Sequence, residues 1–133
     1  MAGAARDCIF CAAEGRIWLA NELAFATRDA RPVSRGHTLV VPRRHCEDFF
    51  ALRADEVAAC WELIVRVRAQ LAAEPAPPDG FNVGVNAGEA AGQSVPHVHV
   101  HVIPRYRGDV ASPRGGVRNV VPHAHTERAA PDG

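Results

Sequence analysis

The stretch SVPHVHVHVIPRY, residues 94–106, alternates histidine with valine. A β-branched residue at every second position is typical of a strand, so the alternation predicts a strand over residues 96–104. Successive side chains of a strand point to opposite faces, which places His97, His99 and His101 on one face and the valines in the core. Neighbouring imidazoles on that face would then lie about 6.5–7 Å apart.

Three aligned imidazoles allow three interpretations: a solvated face, a metal site with all three rings as ligands, or a nucleophilic centre in which one ring attacks. The preceding loop NAGEAAGQS, residues 86–94, favours nucleophilic attack on phosphorus. Its glycines let the backbone approach phosphate oxygens, and its Gln and Ser side chains can donate hydrogen bonds. No carboxylate lies within the histidine strand, which argues against a catalytic transition-metal centre.

The rest of the chain predicts a single α+β domain around an antiparallel sheet. Apolar and β-branched segments predict further strands at 16–20, 22–28, 37–42 and 81–85. Apolar residues at spacings of three and four predict a long helix over residues 55–73, and residues 46–52 predict a short one. The predicted buried face of the long helix consists of Val57, Cys60, Trp61, Ile64, Val67 and Leu71.

Composition limits the classes of partner. The 133 residues include 15 basic and 15 acidic side chains, so the neutral balance gives no reason to expect nucleic acid or a membrane surface. No run approaches the roughly 20 apolar residues of a spanning helix, and the N-terminus lacks the apolar core of a signal peptide. We therefore expect a cytoplasmic protein with its domain in residues 1–122 and a disordered tail over residues 123–133.

Several segments together resemble the histidine triad (HIT) family of nucleotide hydrolases and transferases. They are CIFC at 8–11, GHTLVVPRRH at 36–45 and NAGEAAGQSVPHVHVHVIPRY at 86–106, in the family's order. The resemblance extends over roughly residues 7–122. It implies a HIT-like fold, with a sheet of about five antiparallel strands, one long helix and one short helix.

The resemblance also implies roles for individual residues. His99 matches the nucleophile that attacks the α-phosphorus and forms a nucleotidyl-histidine intermediate, and His101 matches the residue that serves the phosphate and the leaving group. Asp29 matches the residue that holds the ribose hydroxyls. The positions near the phosphates are Asn86, Gly92, Gln93 and Ser94. His37 matches a recurring family histidine, to which we assign a structural role.

One branch of the family carries a structural zinc, and this sequence has its ligand positions in Cys8, Cys11, His45 and His97. Two thiolates and two imidazoles would form a closed tetrahedral site that holds the fold and leaves no position open for chemistry. The alternative is a pair of free thiols on a mobile N-terminus. A zinc ligand at His97 could not also contact phosphate. We expect no organic cofactor.

The implied substrate is a dinucleoside polyphosphate, a nucleoside phosphoramidate or another adenylylated compound. The segment RGDVASPRGGVRNVVP, residues 107–122, resembles the tails of members close to the dinucleoside polyphosphate hydrolases and favours the first class. A homodimer formed through the sheet and the long helix is also implied. The alternatives are a nucleotide-binding module with little turnover and a metal protein that uses the triad as ligands.

Overall fold

The computed structural model describes residues 7–122, and the predicted tail at 123–133 lies outside these residues. Five strands form one antiparallel sheet in the order β1-β2-β3-β5-β4. They are β1 (Ile17–Ala20), β2 (Ala24–Arg28), β3 (Thr38–Pro42), β4 (Gly80–Val85) and β5 (Val100–Arg105). One long helix, α1 (Ala54–Ala72), packs on the sheet. The predicted α+β fold is therefore confirmed.

Short 3-10 turns connect these elements. Within residues 7–122 they occupy Glu14–Arg16, Phe49–Ala51, Glu89–Ala91 and Gly116–Val120. The predicted short helix at 46–52 is reduced to the second of these turns, because the backbone is already extended at Leu52. No helix in this part of the chain is long and apolar enough to cross a membrane.

The main core lies between α1 and one face of the sheet. Leu63, Val67 and Leu71 are fully buried there, against residues of β2, β3 and β5 that include Ala24 and Ala26. The small side chains on β2 let the helix approach the sheet closely. Burying these apolar groups supplies the main favourable free energy of the fold.

The predicted helix face is partly wrong. Cys60, Val67 and Leu71 are buried, but Val57 and Trp61 are 46% and 63% exposed. The buried stripe instead includes Leu63 and the carboxylate of Glu56, so the helix is rotated about its axis relative to the prediction. The apolar flank that carries Val57 and Trp61 lies beside the core and not against it.

The histidine strand is also shorter than predicted, because β5 begins at Val100. Val98 donates its backbone N–H to the carbonyl of Cys46 (2.8 Å), outside the β3–β5 ladder. The expectation that all three triad histidines share one strand is therefore wrong, since only His101 lies in β5. His97 and His99 precede the strand, where the backbone can aim each ring at a separate partner.

Candidate functional site

A cavity of about 450 Å³ lies where the loop before β5 meets the segment after β2. It is large enough for a nucleotide-sized ligand. Five of the predicted site residues line it: Asp29, Asn86, Ser94, His99 and His101. The apolar part of the wall consists of Ile9, Phe10, Leu39 and Val95, and Arg16 and Arg31 add positive charge.

The ring of His99 is oriented by the backbone. Its Nδ1 lies 2.8 Å from the carbonyl oxygen of His97. A carbonyl only accepts, so Nδ1 carries the proton in the neutral ring and Nε2 holds a lone pair. The ring of Phe10 packs beside it at 5.1 Å between centroids. The Nε2 lone pair of this tautomer therefore lies in a nearly dry position, since 7% of the residue is exposed.

The contact with His37 gives His101 the tautomer opposite to that of His99. The backbone N–H of Val33 donates to Nδ1 of His37 (3.1 Å), so the proton of a neutral His37 ring is on Nε2. That Nε2 lies 3.0 Å from Nδ1 of His101. His101 accepts at Nδ1 and therefore carries its own proton on Nε2. His99 and His101 thus line the same cavity with one acceptor nitrogen and one donor nitrogen.

His37, for which the sequence predicts a structural role, also contacts the ring of His101. Its effect on His101 depends on the pairing of β3 with β5, in which Leu39 lies opposite His101. His37, directly before β3, therefore lies beside His101 near the start of β5. The order of the motifs does not predict this contact, because neither segment specifies the register between two distant strands.

Asp29 lies beside this pair, with a carboxylate oxygen 3.4 Å from Nε2 of His37. Burial lowers the pKa of His37 despite the opposing charge of Asp29. Burial, and next the neighbouring rings of His99 and His37, lower the pKa of His101. Both rings are therefore neutral near pH 7.

Asp29, His37 and His101 bring three potential ligand atoms within 4.8 Å of one another. A metal ion there would need a lone pair on Nε2 of His37. The Val33 N–H already occupies the lone pair on the other ring nitrogen, which keeps the proton on Nε2. The geometry therefore favours a hydrogen-bonded chain over a metal site.

The loop before β5 is held by the side-chain amide of Gln93. Its oxygen accepts from the N–H of Gly88 (2.9 Å), and its nitrogen donates to the carbonyls of Glu47 (2.9 Å) and Val95 (3.2 Å). Gly92 has a φ of +95°, a conformation that favours glycine. Gln93 lines a neighbouring pocket and not the cavity that contains His99. The direct phosphate contacts expected of Gly92 and Gln93 stay predictions.

The other predicted ligand set also comes together in space. The donor atoms of Cys8, Cys11, His45 and His97 all lie within 4.8 Å of one another. Sγ of Cys8 is 3.2 Å from Nδ1 of His97, and Sγ of Cys11 is 3.4 Å from Nδ1 of His45 and 3.6 Å from Nδ1 of His97. Tetrahedral zinc with normal bond lengths requires about 3.3–3.8 Å between its ligand atoms. The cluster fits that ion.

The surroundings leave Nδ1 of His97 available to a metal. Nε2 of His97 lies 2.8 Å from the carbonyl of Pro42, so it carries the proton. Outer partners of this kind orient metal-binding histidines in general. Burial, followed by hydrogen bonding and charge from Cys8, raises the pKa of the Cys11 thiol. Without a cation the Cys11 thiol is therefore protonated near pH 7, and metal binding at this thiol would release a proton.

Comparisons with known proteins agree with this arrangement. The HIT domain family model matches residues 12–108. A HIT-like protein of Methanocaldococcus jannaschii is 38% identical over 119 residues, which cover 85% of this chain and 91% of the relative. An AP-4-A phosphorylase of Mycobacterium tuberculosis is 38% identical over 100 residues, which cover 72% of this chain but only 49% of the relative.

A solved structure shares the fold. It is a Zn-bound histidine triad family protein from Mycobacterium smegmatis, with a TM-score of 0.72 and 36% sequence identity. The match covers 81% of each chain.

Proposed function

The chain belongs to the HIT family, and from this premise we propose that it is a nucleotidyl hydrolase or transferase that cleaves its substrate at the α-phosphate. One observation carries the proposal. The His97 carbonyl holds the proton of His99 on Nδ1 at 2.8 Å, which leaves the lone pair of Nε2 for attack within the cavity.

In the first step, Nε2 of His99 attacks the α-phosphorus, and an N–P bond forms as the bond from phosphorus to the leaving group breaks. The N–H at Nε2 of His101 donates a hydrogen bond to the departing oxygen, which leaves as a phosphate anion and needs no proton from the ring. The product is a nucleotidyl-imidazolium whose Nδ1–H still donates to His97.

In the second step, water attacks the phosphorus and releases a proton to the solvent, while Nε2 of His101 keeps its own proton and donates a hydrogen bond. The N–P bond breaks, the nucleoside monophosphate leaves, and Nε2 of His99 regains its lone pair. In a transferase, another nucleophile takes the place of water.

The cavity supplies matching subsites for a nucleotide. The apolar wall around Ile9 and Leu39 suits the flat base. Asp29 suits the ribose, since a carboxylate accepts from both hydroxyls. The phosphate subsite is assigned to Asn86 and Ser94 in the cavity wall and to Gly92 and Gln93 in the adjoining loop.

We propose a dinucleoside polyphosphate as the substrate class. The likeness to an AP-4-A phosphorylase supports this class over an amine-linked nucleotide, although this chain spans only about half of that relative. Arg16 and Arg31 on the cavity wall also favour a substrate with several phosphates. Phosphoramidates and other adenylylated compounds are the second candidates.

We further propose one structural zinc ion held by Cys8, Cys11, His45 and His97. The support is the match of the sulfur–nitrogen separations to a tetrahedral site. A closed set of four protein ligands supplies fold stability and no reactive water. Reduced thiols are needed at this site, which is consistent with a location in the cytoplasm. Zinc content measured by mass spectrometry should fall in Cys8→Ser and stay at wild-type level in His99→Ala.

A homodimer is also part of the proposal. One side of α1 faces the β1–β2 turn, where Asn21 donates to the carbonyl of Ala59 and Arg66 donates to the carbonyl of Ala20. The opposite flank is apolar and exposed. It consists of Val57, Trp61 and Val65. Strand β4 lies at the edge of the sheet. A second copy that pairs with β4 can extend the sheet and cover the apolar flank in the same interface.

The experiment that tests the enzymatic proposal is a search for the covalent intermediate. The protein is incubated with a panel of adenylated substrates, quenched early without acid, and weighed intact by mass spectrometry. We expect an adenylyl adduct that is absent in His99→Gly and present in His37→Gln, which changes a neighbouring histidine only. Absence of both adduct and turnover with every substrate would refute the enzymatic function.

A further inference from the structure

We propose that metal binding and nucleotide binding are thermodynamically coupled in this protein, because the metal cluster holds both the wall of the nucleotide cavity and the candidate nucleophile. The inference rests on the proposed nucleotide and zinc sites and goes beyond them. It gives the metal a measurable effect on ligand affinity and not only on stability.

The first connection runs through the N-terminal segment. Cys8 and Cys11 bracket Ile9 and Phe10, and both of these residues line the cavity. The Phe10 ring lies 5.1 Å from the His99 ring and 5.7 Å from the His97 ring. A metal bound to the two sulfurs therefore fixes the two residues between them against the nucleotide site.

The second connection runs through His97. Its Nδ1 belongs to the metal cluster, and its backbone oxygen holds Nδ1 of His99 at 2.8 Å. Since Nε2 of the same ring donates to Pro42, metal binding would fix the ring from both sides. The residue that orients His99 is thus itself oriented by the metal.

Without the ion, the segment is held only by noncovalent contacts, which include the packing of Cys8 and Phe10 in a buried cluster with Leu39. The thiol–imidazole distances are 3.2–3.6 Å, and further support comes from the Arg16 side chain, which donates to the carbonyl of Ile9 (2.7 Å). A segment that is ordered before the ligand arrives costs less entropy on binding. The metal should therefore raise nucleotide affinity, and by reciprocity the nucleotide should raise metal affinity by the same factor.

The test uses the zinc-loaded protein with AMP as the probe. AMP binding is measured by calorimetry, and zinc affinity is measured from the equilibrium partition of zinc between the protein and a chromophoric chelator, with and without saturating AMP. We expect AMP to raise zinc affinity by about 5-fold or more, the lower end of common coupling factors. Circular dichroism at each chelator concentration restricts the comparison to conditions in which the protein stays folded.

Two variants identify the connecting residues. Phe10→Ala keeps all four metal ligands but removes the contact with His99, so we expect it to bind zinc while AMP raises its zinc affinity much less. Cys60→Ala removes a buried thiol of the helix core, away from the cluster, and should behave as wild type.

The possible failures are distinguishable. AMP binding with an unchanged zinc affinity would refute the coupling alone. If the loaded protein does not bind AMP, the nucleotide site fails and the coupling with it. If the protein retains no zinc on purification or titration, the zinc site fails and so does the coupling.

Discussion

His37, His97, His99 and His101 each have one ring nitrogen committed to a partner inside the protein. The partner decides the tautomer: His97 and His99 donate to backbone carbonyls, whereas His37 accepts from a backbone N–H. Four chemically identical side chains therefore present different groups to their surroundings. His97 presents Nδ1 to the metal cluster, His99 presents a lone pair to the cavity, and His101 presents a proton.

The hydrogen bond from His37 to His101 leads to a prediction about turnover. His37→Ala removes the donor that keeps the His101 proton on Nε2, so kcat should fall about 10–100-fold while KM changes little. His37→Gln places an amide N–H near the original Nε2 and should recover most of the activity. The measurement is steady-state kinetics with a dinucleoside polyphosphate.

A purely structural role for His37 would give a different pattern. Equal losses in the Ala and Gln variants, or a rise in KM with kcat unchanged, would contradict the proposed positioning of His101. Circular dichroism and thermal unfolding of both variants control for loss of the fold.

At the scale of elements, Glu56 joins helix α1 to the segment that carries His45. Its carboxylate is 1% exposed and accepts two bonds from the Arg44 guanidinium (each 2.8 Å) and one from the N–H of Arg53 (2.9 Å). Hydrogen bonding from Arg44 is the largest cause that lowers its pKa to about 2. The helix start, the Arg44 segment and the neighbouring metal cluster are thus parts of one assembly.

This contact predicts that substitutions of two neighbouring acidic residues, Glu56 and Asp55, change the free energy of unfolding by different amounts. Glu56→Gln loses the charge that Arg44 and the backbone bind, and should lower the free energy of unfolding by about 2 kcal/mol. Asp55→Asn is the matched control, because Asp55 lies in the same first turn with its side chain 61% exposed, and should cost less than about 0.5 kcal/mol. Urea unfolding measures both, and equal effects would contradict the special role of Glu56.

At the scale of the whole molecule, the exposed apolar flank of α1 predicts the oligomeric state. Trp61→Glu places a charge on that flank and should convert a dimer into a monomer, as measured by sedimentation equilibrium. Phe50→Glu is the matched control, since Phe50 is an exposed aromatic residue (81%) outside the flank. A wild-type monomer, or a dimer that survives Trp61→Glu, would contradict the proposed interface.

Acid should weaken the fold in two stages. The pKa values of buried His37 and half-buried His101 are lowered from 6.5, so the unfolded state binds more protons and stability falls as the pH drops below 6.5. The pKa of Glu56 is lowered from 4.5 to about 2, so its contribution is complete above 4.5 and is lost as the pH falls toward 2.

The measurement is the free energy of unfolding across this pH range in the presence of a metal chelator, so that metal release does not contribute. His37→Gln should reduce the first stage, and Glu56→Gln should reduce the second. Stability that stays constant between pH 6.5 and 4.5 would contradict the lowered pKa values of the two histidines.

Much of the candidate site could be read from the chain. The alternation of histidine and valine, the loop before it and the two cysteines of CIFC are local patterns, so the residues that line the cavity and the metal cluster were found by motif. Local patterns could not define the start of β5. The N–H of Val98 donates to Cys46, in the segment after β3, and the strand therefore begins only at Val100. Local patterns also could not find the orientation of α1, which depends on the burial of Leu63 and Glu56.

The sequence by itself determined the α+β class, the strand and helix segments and the family, because periodicity and motifs act over neighbouring residues. Only the tertiary structure decided which ring nitrogen carries the proton in His37, His97, His99 and His101. That choice depends on partners far apart in the chain, such as His37 and His101, which meet only when β3 pairs with β5. The physical reason is that a tautomer is set by the hydrogen bond at the other ring nitrogen, and folding alone brings that partner into place.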